Sequence, residues 1–258
     1  MSTVEARSVA PRREASPRTR GAVAGVGLLV GVLAGLAGLF GGFGYRWGLW
    51  PLSTGFAIVR WSAYVAVFGA ALGLVALLMP PWRRGLVCRL IAVGALFVGV
   101  AVAGVPWLAQ FYGDLAPRIN EVSTDTDDPP QFVAILPLRA GAPNPPEWGG
   151  AETARLQREG FPDIRPVRLP IAPAEAFARV ELLANAMGWT VVAAMPEEGR
   201  LEAVAETPWF GLKDDVVVRV VADGAGTRID IRSKSRLGRS DRGMNGRRVR
   251  EFIQRLTE

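Results

Sequence analysis

The chain has 258 residues, is 50% hydrophobic and carries a net charge of +6. It contains one cysteine, Cys88, and no histidine, which excludes an intramolecular disulfide, thiolate metal cages, histidine general-base catalysis and the usual zinc sites. Residues 1–113 have a net charge of +8 and residues 114–258 a net charge of −2. Because the C-terminal part is close to neutral, the charge does not favour a nucleic-acid partner.

The N-terminal half is predicted to be a membrane anchor. Residues 1–20 contain five arginines and no apolar period, which predicts a disordered basic tail in the cytoplasm. Three charge-free stretches follow at about residues 21–44, 61–82 and 90–112. Since about 20 apolar residues cross a bilayer, we expect three transmembrane helices within residues 21–113.

The arginines of the short loops predict the orientation of these spans. The tail and the loop between the second and third spans hold more arginines than the loop between the first two, and such loops stay in the cytoplasm. Three crossings then place residues 114–258 in the periplasm, next to a bacterial inner membrane. The expected partner is the lipid bilayer. Small residues such as Gly27, Gly31 and Gly35 favour packing of the spans on one another, with a homo-oligomer or a membrane-protein partner as the alternative.

The part after the spans is predicted to be α+β. Residues 114–173 are rich in proline, which predicts extended segments wrapped around the domain and one short strand at 132–136. A helix from about residue 174 ends at Gly188, and a last helix covers about 241–256. The four strand candidates between them are residues 189–195, 200–207, 215–223 and 227–235. The expected architecture is a three-helix transmembrane anchor followed by a two-layer domain, with an antiparallel sheet of about four strands and two packed helices.

Alternation along these strands predicts two different sheet faces. The core-facing set is Val216, Val218, Val220, Ile229 and Ile231. The polar set on the other face is Glu202, Glu206, Arg219, Asp230 and Arg232. We favour a solvated ion-pair surface for the polar set; the alternative is a carboxylate and guanidinium platform covered by the proline-rich segment.

Serines and cations crowd the end of the last strand and the start of the last helix. Asp241 suits an N-cap there, and arginine forks beside a helix N-terminus suit a phosphate or a carboxylate. Asp125, Asp127 and Asp128 suggest a calcium site, but the glycine and glutamate of a calcium loop are missing, so turn formation is preferred. The candidate ligand-binding residues are Arg219, Arg232, Ser233, Ser235, Arg236, Ser240, Asp241, Asn245, Asp125, Asp128, Glu202 and Asp230. No catalytic residue, metal or cofactor is assigned.

Several long motifs in one order resemble a known family. They are NEVSTDTDDPPQF (120–132), FPDIRP (161–166), GW (188–189), LEAVAET (201–207), DDVVVRV (214–220) and DIRSKSRLGRSDRGMN (230–245). The chain therefore resembles the proteins that carry the domain of unknown function 1499, over nearly all of the region after the spans. The resemblance implies a domain and an envelope setting, without a catalytic residue.

Two function hypotheses follow. The first is a non-enzymatic, membrane-anchored envelope protein whose domain is a structural module or binds an anionic small molecule, a lipid head group or a partner protein. The alternative is a periplasmic hydrolase or transferase that uses an arginine clamp and paired carboxylates. Those carboxylates would come from Glu202, Asp214, Asp215 and Asp230. An enzyme predicts an open pocket with a perturbed carboxylate, whereas a structural module predicts that these groups are paired and closed.

Overall fold

The protein has two compact units that join between Leu108 and Ala109. Its structure, a computed structural model, describes residues 17–79 and 85–258. Three long helices make up the first unit, and the last turn of the third helix belongs to the second. These helices are α1 (Pro17–Arg46), α2 (Leu52–Leu78) and α3 (Leu86–Asp114).

The three helices have the length and composition of membrane spans. Their most apolar windows have mean hydropathies of 2.3, 2.0 and 2.5, and each helix exceeds the roughly 20 residues that cross a bilayer. The chain is therefore a membrane protein with an α+β domain after its helices. All three helices begin before the charge-free stretches: α1 begins at Pro17, inside the predicted tail, α2 at Leu52 and α3 at Leu86. The rest of the tail, residues 1–16, and residues 80–84 at the end of the second predicted span lie outside the described residues.

Small residues bring the helices of the first unit into close contact. A methyl group added at Gly69 of α2 would lie 2.8 Å from Gly27 O and 3.0 Å from Gly31 N of α1. A methyl group at Gly99 of α3 would lie 2.5 Å from Ala66 O of α2. These approaches leave no room for a side chain, and they confirm that the spans pack on one another.

The second unit contains a six-stranded antiparallel sheet. The strands are β1 (Glu121–Ser123), β2 (Val167–Leu169), β3 (Thr190–Met195), β4 (Arg200–Glu206), β5 (Lys213–Asp223) and β6 (Gly226–Ser235). The strand order is β1-β6-β5-β4-β3, and β2 also pairs with β6. The four-stranded meander from β3 to β6 is confirmed, and the proline-rich region adds β1 and β2 to the outer edge of β6.

One face of this sheet carries the main hydrophobic core. Helices α5 (Pro173–Ala186) and α6 (Met244–Thr257) cover it, and Trp189 stacks on Phe252 with ring centroids 5.7 Å apart. The predicted inward residues of β5 and β6 are buried there with Phe177 and Val180 of α5 and Val249 of α6. The period-two alternation of the strands thus places the core as predicted.

The region after the spans departs from its prediction in three further places. Residues 132–136 form no strand; Leu136 starts a 3-10 helix (Leu136–Arg139), in which Pro137 stands near the N-terminus. Residues 150–160 form a helix, α4 (Gly150–Gly160), that the sequence analysis missed. The last helix begins at Met244 and not at residue 241. The residues before it, Arg242 and Gly243, have φ angles of +54° and +79°, which a right-handed helix does not accept.

Gly69→Val is expected to destabilise the helical anchor by about 1–3 kcal/mol, because the added carbons meet the backbone of α1 and the helices must separate. The measurement is thermal unfolding of the full chain in detergent. Gly104→Val is the matched control, since nothing lies within 4 Å of a methyl group at that position. Equal unfolding temperatures for the two variants would contradict the proposed packing.

Candidate functional site

The sheet face opposite α5 and α6 carries the predicted polar set. A segment that we name the strap (residues 124–149) lies over this face and buries Phe132 and Ile135 against Val217. The side chains of Glu202, Asp230 and Arg232 are 0% exposed beneath it. For these three residues the favoured solvated surface was wrong, and the covered platform is the arrangement found, because the apolar residues of the strap pack onto the sheet and exclude water from the charges. Of the other two members of the set, Glu206 is exposed and Arg219 is partly buried.

Arg232 of β6 lies at the centre of the covered face. Its Nη2 and Nε donate to Glu121 Oε2 at 2.7 and 3.0 Å, and further bonds reach Pro146 O at 2.8 Å and Pro130 O at 3.2 Å. The guanidinium also lies over the Phe132 ring, 4.8 Å from its centroid. Burial lowers the pKa of Arg232, and the charge of Glu121 opposes that shift. The side chain is thus held on every side by the strap and by β1.

Glu121 of β1 binds a second buried cation. Its Oε1 accepts from Lys234 Nζ at 2.8 Å and from the Gly149 N–H at 2.8 Å, and Lys234 Nζ also donates to Glu147 O at 2.6 Å. Burial lowers the pKa of Lys234, and Glu121 again opposes the shift. One carboxylate therefore joins β1, β6 and the end of the strap.

Glu202 of β4 is bound by the backbone of the strap. Three consecutive N–H groups donate to its carboxylate, from Val133 at 3.1 Å, Ala134 at 3.0 Å and Ile135 at 2.9 Å. The side chain of Arg200 adds an ion pair. Successive N–H groups that point into one concavity form an anion-binding nest, and here the chain's own carboxylate fills it.

Asp230 and Asp125 share two arginines at the next part of the face. Arg219 Nη2 lies 3.0 Å from Asp230 Oδ2 and 3.1 Å from Asp125 Oδ2. Arg228 Nη2 lies 2.5 Å from Asp125 Oδ2 and 3.1 Å from Asp230 Oδ1. Arg219 also pairs with Asp128, at 2.7 Å. This cluster brings together four of the predicted site residues.

The aspartates of the strap act in a turn. Asp125 Oδ1 accepts the N–H groups of Asp127 and Asp128 at 3.1 and 2.9 Å. Burial alone raises the pKa of Asp125, but these two donors and two guanidinium charges outweigh it and lower the pKa below its usual value. The ionised carboxylate therefore stabilises the fold at neutral pH, and that contribution is lost as the pH falls through the lowered pKa. Across residues 17–79 and 85–258, no group of three or more metal-ligating side chains is placed to hold an ion.

Asp215 of β5 completes the covered face. Arg236 Nη2 donates to Asp215 Oδ1 at 2.7 Å, and Arg139 of the strap makes a second, buried ion pair with the same carboxylate. Arg139 Nη2 also donates to Asn144 O at 2.9 Å. Arg139 and Glu121 were not predicted from the sequence as partners of this face. The signal that pointed to Glu121 was the excess of cations on β6, which required a carboxylate from elsewhere once the face was covered. No comparable signal pointed to Arg139.

The serines lie on the other face of the sheet. Ser233 donates to Asn245 Oδ1 at 2.6 Å, and Asn245 Nδ2 donates to Ser235 Oγ at 3.0 Å. Arg248 Nη1 donates to Ser233 Oγ at 2.9 Å, and its Nη2 donates to Asp214 Oδ2 at 2.6 Å. The structure therefore does not bring Ser233 and Ser235 together with Arg232 and Arg236, because neighbouring residues of a strand point to opposite faces.

Asp241 and Ser240 form the turn before α6. The Asp241 carboxylate accepts the N–H groups of Gly243 at 2.8 Å and Asn245 at 2.6 Å, so it binds the start of the helix although Gly243 is the N-cap. Burial raises the pKa of Asp241, and the bonds from these N–H groups oppose the shift. Ser240 Oγ accepts the Arg242 N–H at 3.2 Å. Both residues thus have a local capping role.

The charged groups of the covered face are paired and closed. Each of the carboxylates named for a reaction has an arginine partner within the fold, and the hydroxyls of Ser233 and Ser235 are bound to Asn245. An open groove lies elsewhere, between α1 and α2 of the first unit, and its lining includes Leu33, Ala37, Ile58 and Trp61 and no charged residue. This closed pairing is the arrangement that a structural module predicts.

A family model described as protein of unknown function (DUF1499) matches residues 121–256. The match runs from the first residue of β1 into α6, so it covers more than half of the chain and leaves out the three membrane helices. A search among curated proteins finds no match. The resemblance in the sequence motifs is thereby confirmed for the region that folds as the sheet and its helices.

Glu202→Ala is expected to destabilise the domain by about 2–4 kcal/mol, because it leaves three N–H groups of the strap without an acceptor and Arg200 without its buried partner. Hydrogen exchange of the full chain measures this as faster exchange at Val133, Ala134 and Ile135. Glu197→Ala, at an exposed position before β4, is the control and should leave those amides unchanged. Unchanged exchange in the Glu202 variant would show that the nest is not what holds the strap.

Proposed function

The chain belongs to the family described as protein of unknown function (DUF1499), and we propose that it is a membrane-anchored envelope protein whose C-terminal domain is a non-enzymatic binding or structural module. The ligand class is an anionic small molecule, a lipid head group or a partner protein. The surface of the domain, and not its covered face, is the part that meets a ligand.

The closure of the charged face carries this proposal. General acid–base catalysis needs a titratable group that reaches a substrate, yet Glu202 and Asp215 are fully occupied by the strap, by Arg200 and by Arg236. Lys234 is buried against Glu121. Because these groups are all paired, the covered face has a structural role: it holds the strap on the sheet.

The proposed location is the bacterial inner membrane, with the N-terminus in the cytoplasm and the domain in the periplasm. Its support is the distribution of arginine, which is higher in the N-terminal tail and before α3 than in the loop between α1 and α2. Positively charged short loops remain in the cytoplasm. Three crossings then export residues 114–258.

Thiol labelling tests this topology. In a Cys88→Ser background, Ala225→Cys lies at the exposed β5–β6 turn and should react with a membrane-impermeant reagent in intact spheroplasts, because the domain faces outward. Ser8→Cys is the control and should react only after lysis. The opposite pattern would place the domain in the cytoplasm and overturn the proposed location.

A mixture of envelope lipids and anionic metabolites distinguishes binding from reaction. The full chain, purified in detergent, should bind and enrich an anionic species from the mixture. The masses of the compounds in the mixture should stay unchanged, because the carboxylates of the covered face do not reach a ligand. Mass spectrometry before and after incubation measures both quantities. The appearance of a product that Asp215→Asn abolishes would replace the binding module with the hydrolase or transferase.

A further inference from the structure

The loop before α6 is fixed beside the end of α3 within the second unit. The Asp241 N–H donates to Ile119 O at 3.0 Å, and Asn120 Nδ2 donates to Gly238 O at 3.1 Å. The side chain of Arg242 lies against Gly113 in the last turn of α3, where an added methyl group would meet its Cδ at 2.7 Å. Residues 238–243 therefore lie next to the point at which the chain leaves the membrane helix.

Four exposed arginines lie on this loop, on the first turn of α6 and on the segment that follows α3. We name Arg118, Arg239, Arg242 and Arg247 the exit arginines. All four are exposed, and none forms an ion pair within residues 109–258. In that unit, Arg165 and Lys213 are the other exposed cations without an ion pair. The nearby carboxylate of Asp114 instead accepts from Gln110 Nε2, at 2.8 and 2.9 Å.

The absence of ion pairs sets the exit arginines apart from most of the domain surface. Arg155, Arg168 and Arg179 are also exposed, and each has a carboxylate 2.6–2.8 Å away. Apart from Arg165, the fold thus pairs its exposed arginines in other places. Near the end of α3 it leaves a local excess of positive charge, which attracts anions from outside the protein.

The backbone conformation of Arg242 is a second observation, beside the unpaired positive charges. Its φ angle is +54°, and among the described residues it is the one non-glycine residue with a positive φ. Glycine adopts this conformation without strain, as the next residue, Gly243, does. A strained residue that keeps a long cationic side chain points to a use for that side chain outside the turn.

The residues at the end of α3, next to the exit arginines, indicate which kind of anion these arginines bind. Phe111 and Tyr112 are exposed at the end of this apolar helix, and aromatic side chains mark the interface between the hydrocarbon and the head groups. The side chain of Arg242 lies beside the adjacent Gly113, so this cation stands at the same end of α3 as the two aromatic residues. Guanidinium groups pair with phosphate through two parallel hydrogen bonds.

We propose that the exit arginines bind the phosphate groups of anionic phospholipids in the leaflet from which the domain emerges. This inference rests on the proposed function and names the lipid head group as its ligand. The bound lipids hold the base of the domain against the bilayer surface, while the covered face keeps the strap on the sheet. The apolar stems of the arginines lie along the protein, and their charged ends reach the lipid.

Three variants of the full chain test the proposal. The exit variant combines Arg118→Ser, Arg239→Ser and Arg242→Asn, where asparagine accepts the positive φ. The lysine variant changes the same three residues to lysine and keeps the charge. The control variant combines Arg155→Ser, Arg168→Ser and Arg179→Ser, which removes the same charge from paired positions. Arg247 stays in all of them, because its Nη2 contacts Met244 Sδ at 2.8 Å.

Native mass spectra of each variant in detergent are recorded during titration with phosphatidylglycerol, phosphatidylcholine or inorganic phosphate. The unchanged chain should prefer phosphatidylglycerol to phosphatidylcholine. The exit variant should lose about fivefold in phosphatidylglycerol affinity for each arginine removed, whereas the lysine and control variants should keep most of the preference. The thermal unfolding temperature of each variant shows that the fold is intact.

Two results would overturn the inference. If the exit and control variants bind phosphatidylglycerol equally, the arginines are not the site. If inorganic phosphate binds the unchanged chain as tightly and displaces the lipid, the ligand is a free anion and not a bilayer component. Both results are independent of the thiol-labelling outcome, since either leaflet contains anionic lipid, so a failure of the proposed topology is told apart from a failure of this site.

Discussion

A charge that is removed from water must be paired, and the arrangement of the second unit follows from this constraint. Moving an unpaired ion into a protein interior costs several kcal/mol even after relaxation. Arg232 has no exposed surface, and it is compensated by Glu121, two carbonyl groups and an aromatic ring. None of these partners comes from the neighbouring strand β5. The strap and β1 are therefore required to bury Arg232 without leaving its charge unpaired.

The strap is thus a part of the fold and not a lid. Phe132 and Ile135 contribute buried apolar area, and the backbone between them supplies the three donors that Glu202 needs. Helix α4, which follows the strap, is also held by the pairing of buried polar groups. Gln157 of α4 exchanges two hydrogen bonds with the backbone of Ser123 in β1, at 2.9 and 2.6 Å. A short strand and a polar helix are consequently stable only as supports of the charged face.

The sequence predicted what depends on local periodicity and missed what depends on distant partners. The strands β3 to β6 and the inward residues Val216 and Ile231 follow from alternation, so the inward residues were predicted correctly and the strand bounds to within two residues. The three-residue strands β1 and β2 contain too few residues to show any period. Alternation also assigned Arg232 to the polar face, but no pattern states what covers a face. Its partner Glu121 is more than a hundred positions away in the sequence, and helix α4 has a mostly polar sequence whose role appears only with Ser123 in place.

The chain uses arginine rather than lysine both on the covered face and on the surface near the end of α3. Apart from Lys213 and Lys234, every cation of the chain is an arginine. Beneath the strap, a planar group with five donors can lie on Phe132 and still reach a carboxylate and two carbonyls, whereas an ammonium group offers three donors and keeps its hydration more strongly. At Arg242 the same geometry matches a phosphate, and no carboxylate within residues 17–79 and 85–258 forms an ion pair with it. The chain therefore uses one side chain for two tasks, and the difference between them is set by whether the fold supplies the anion.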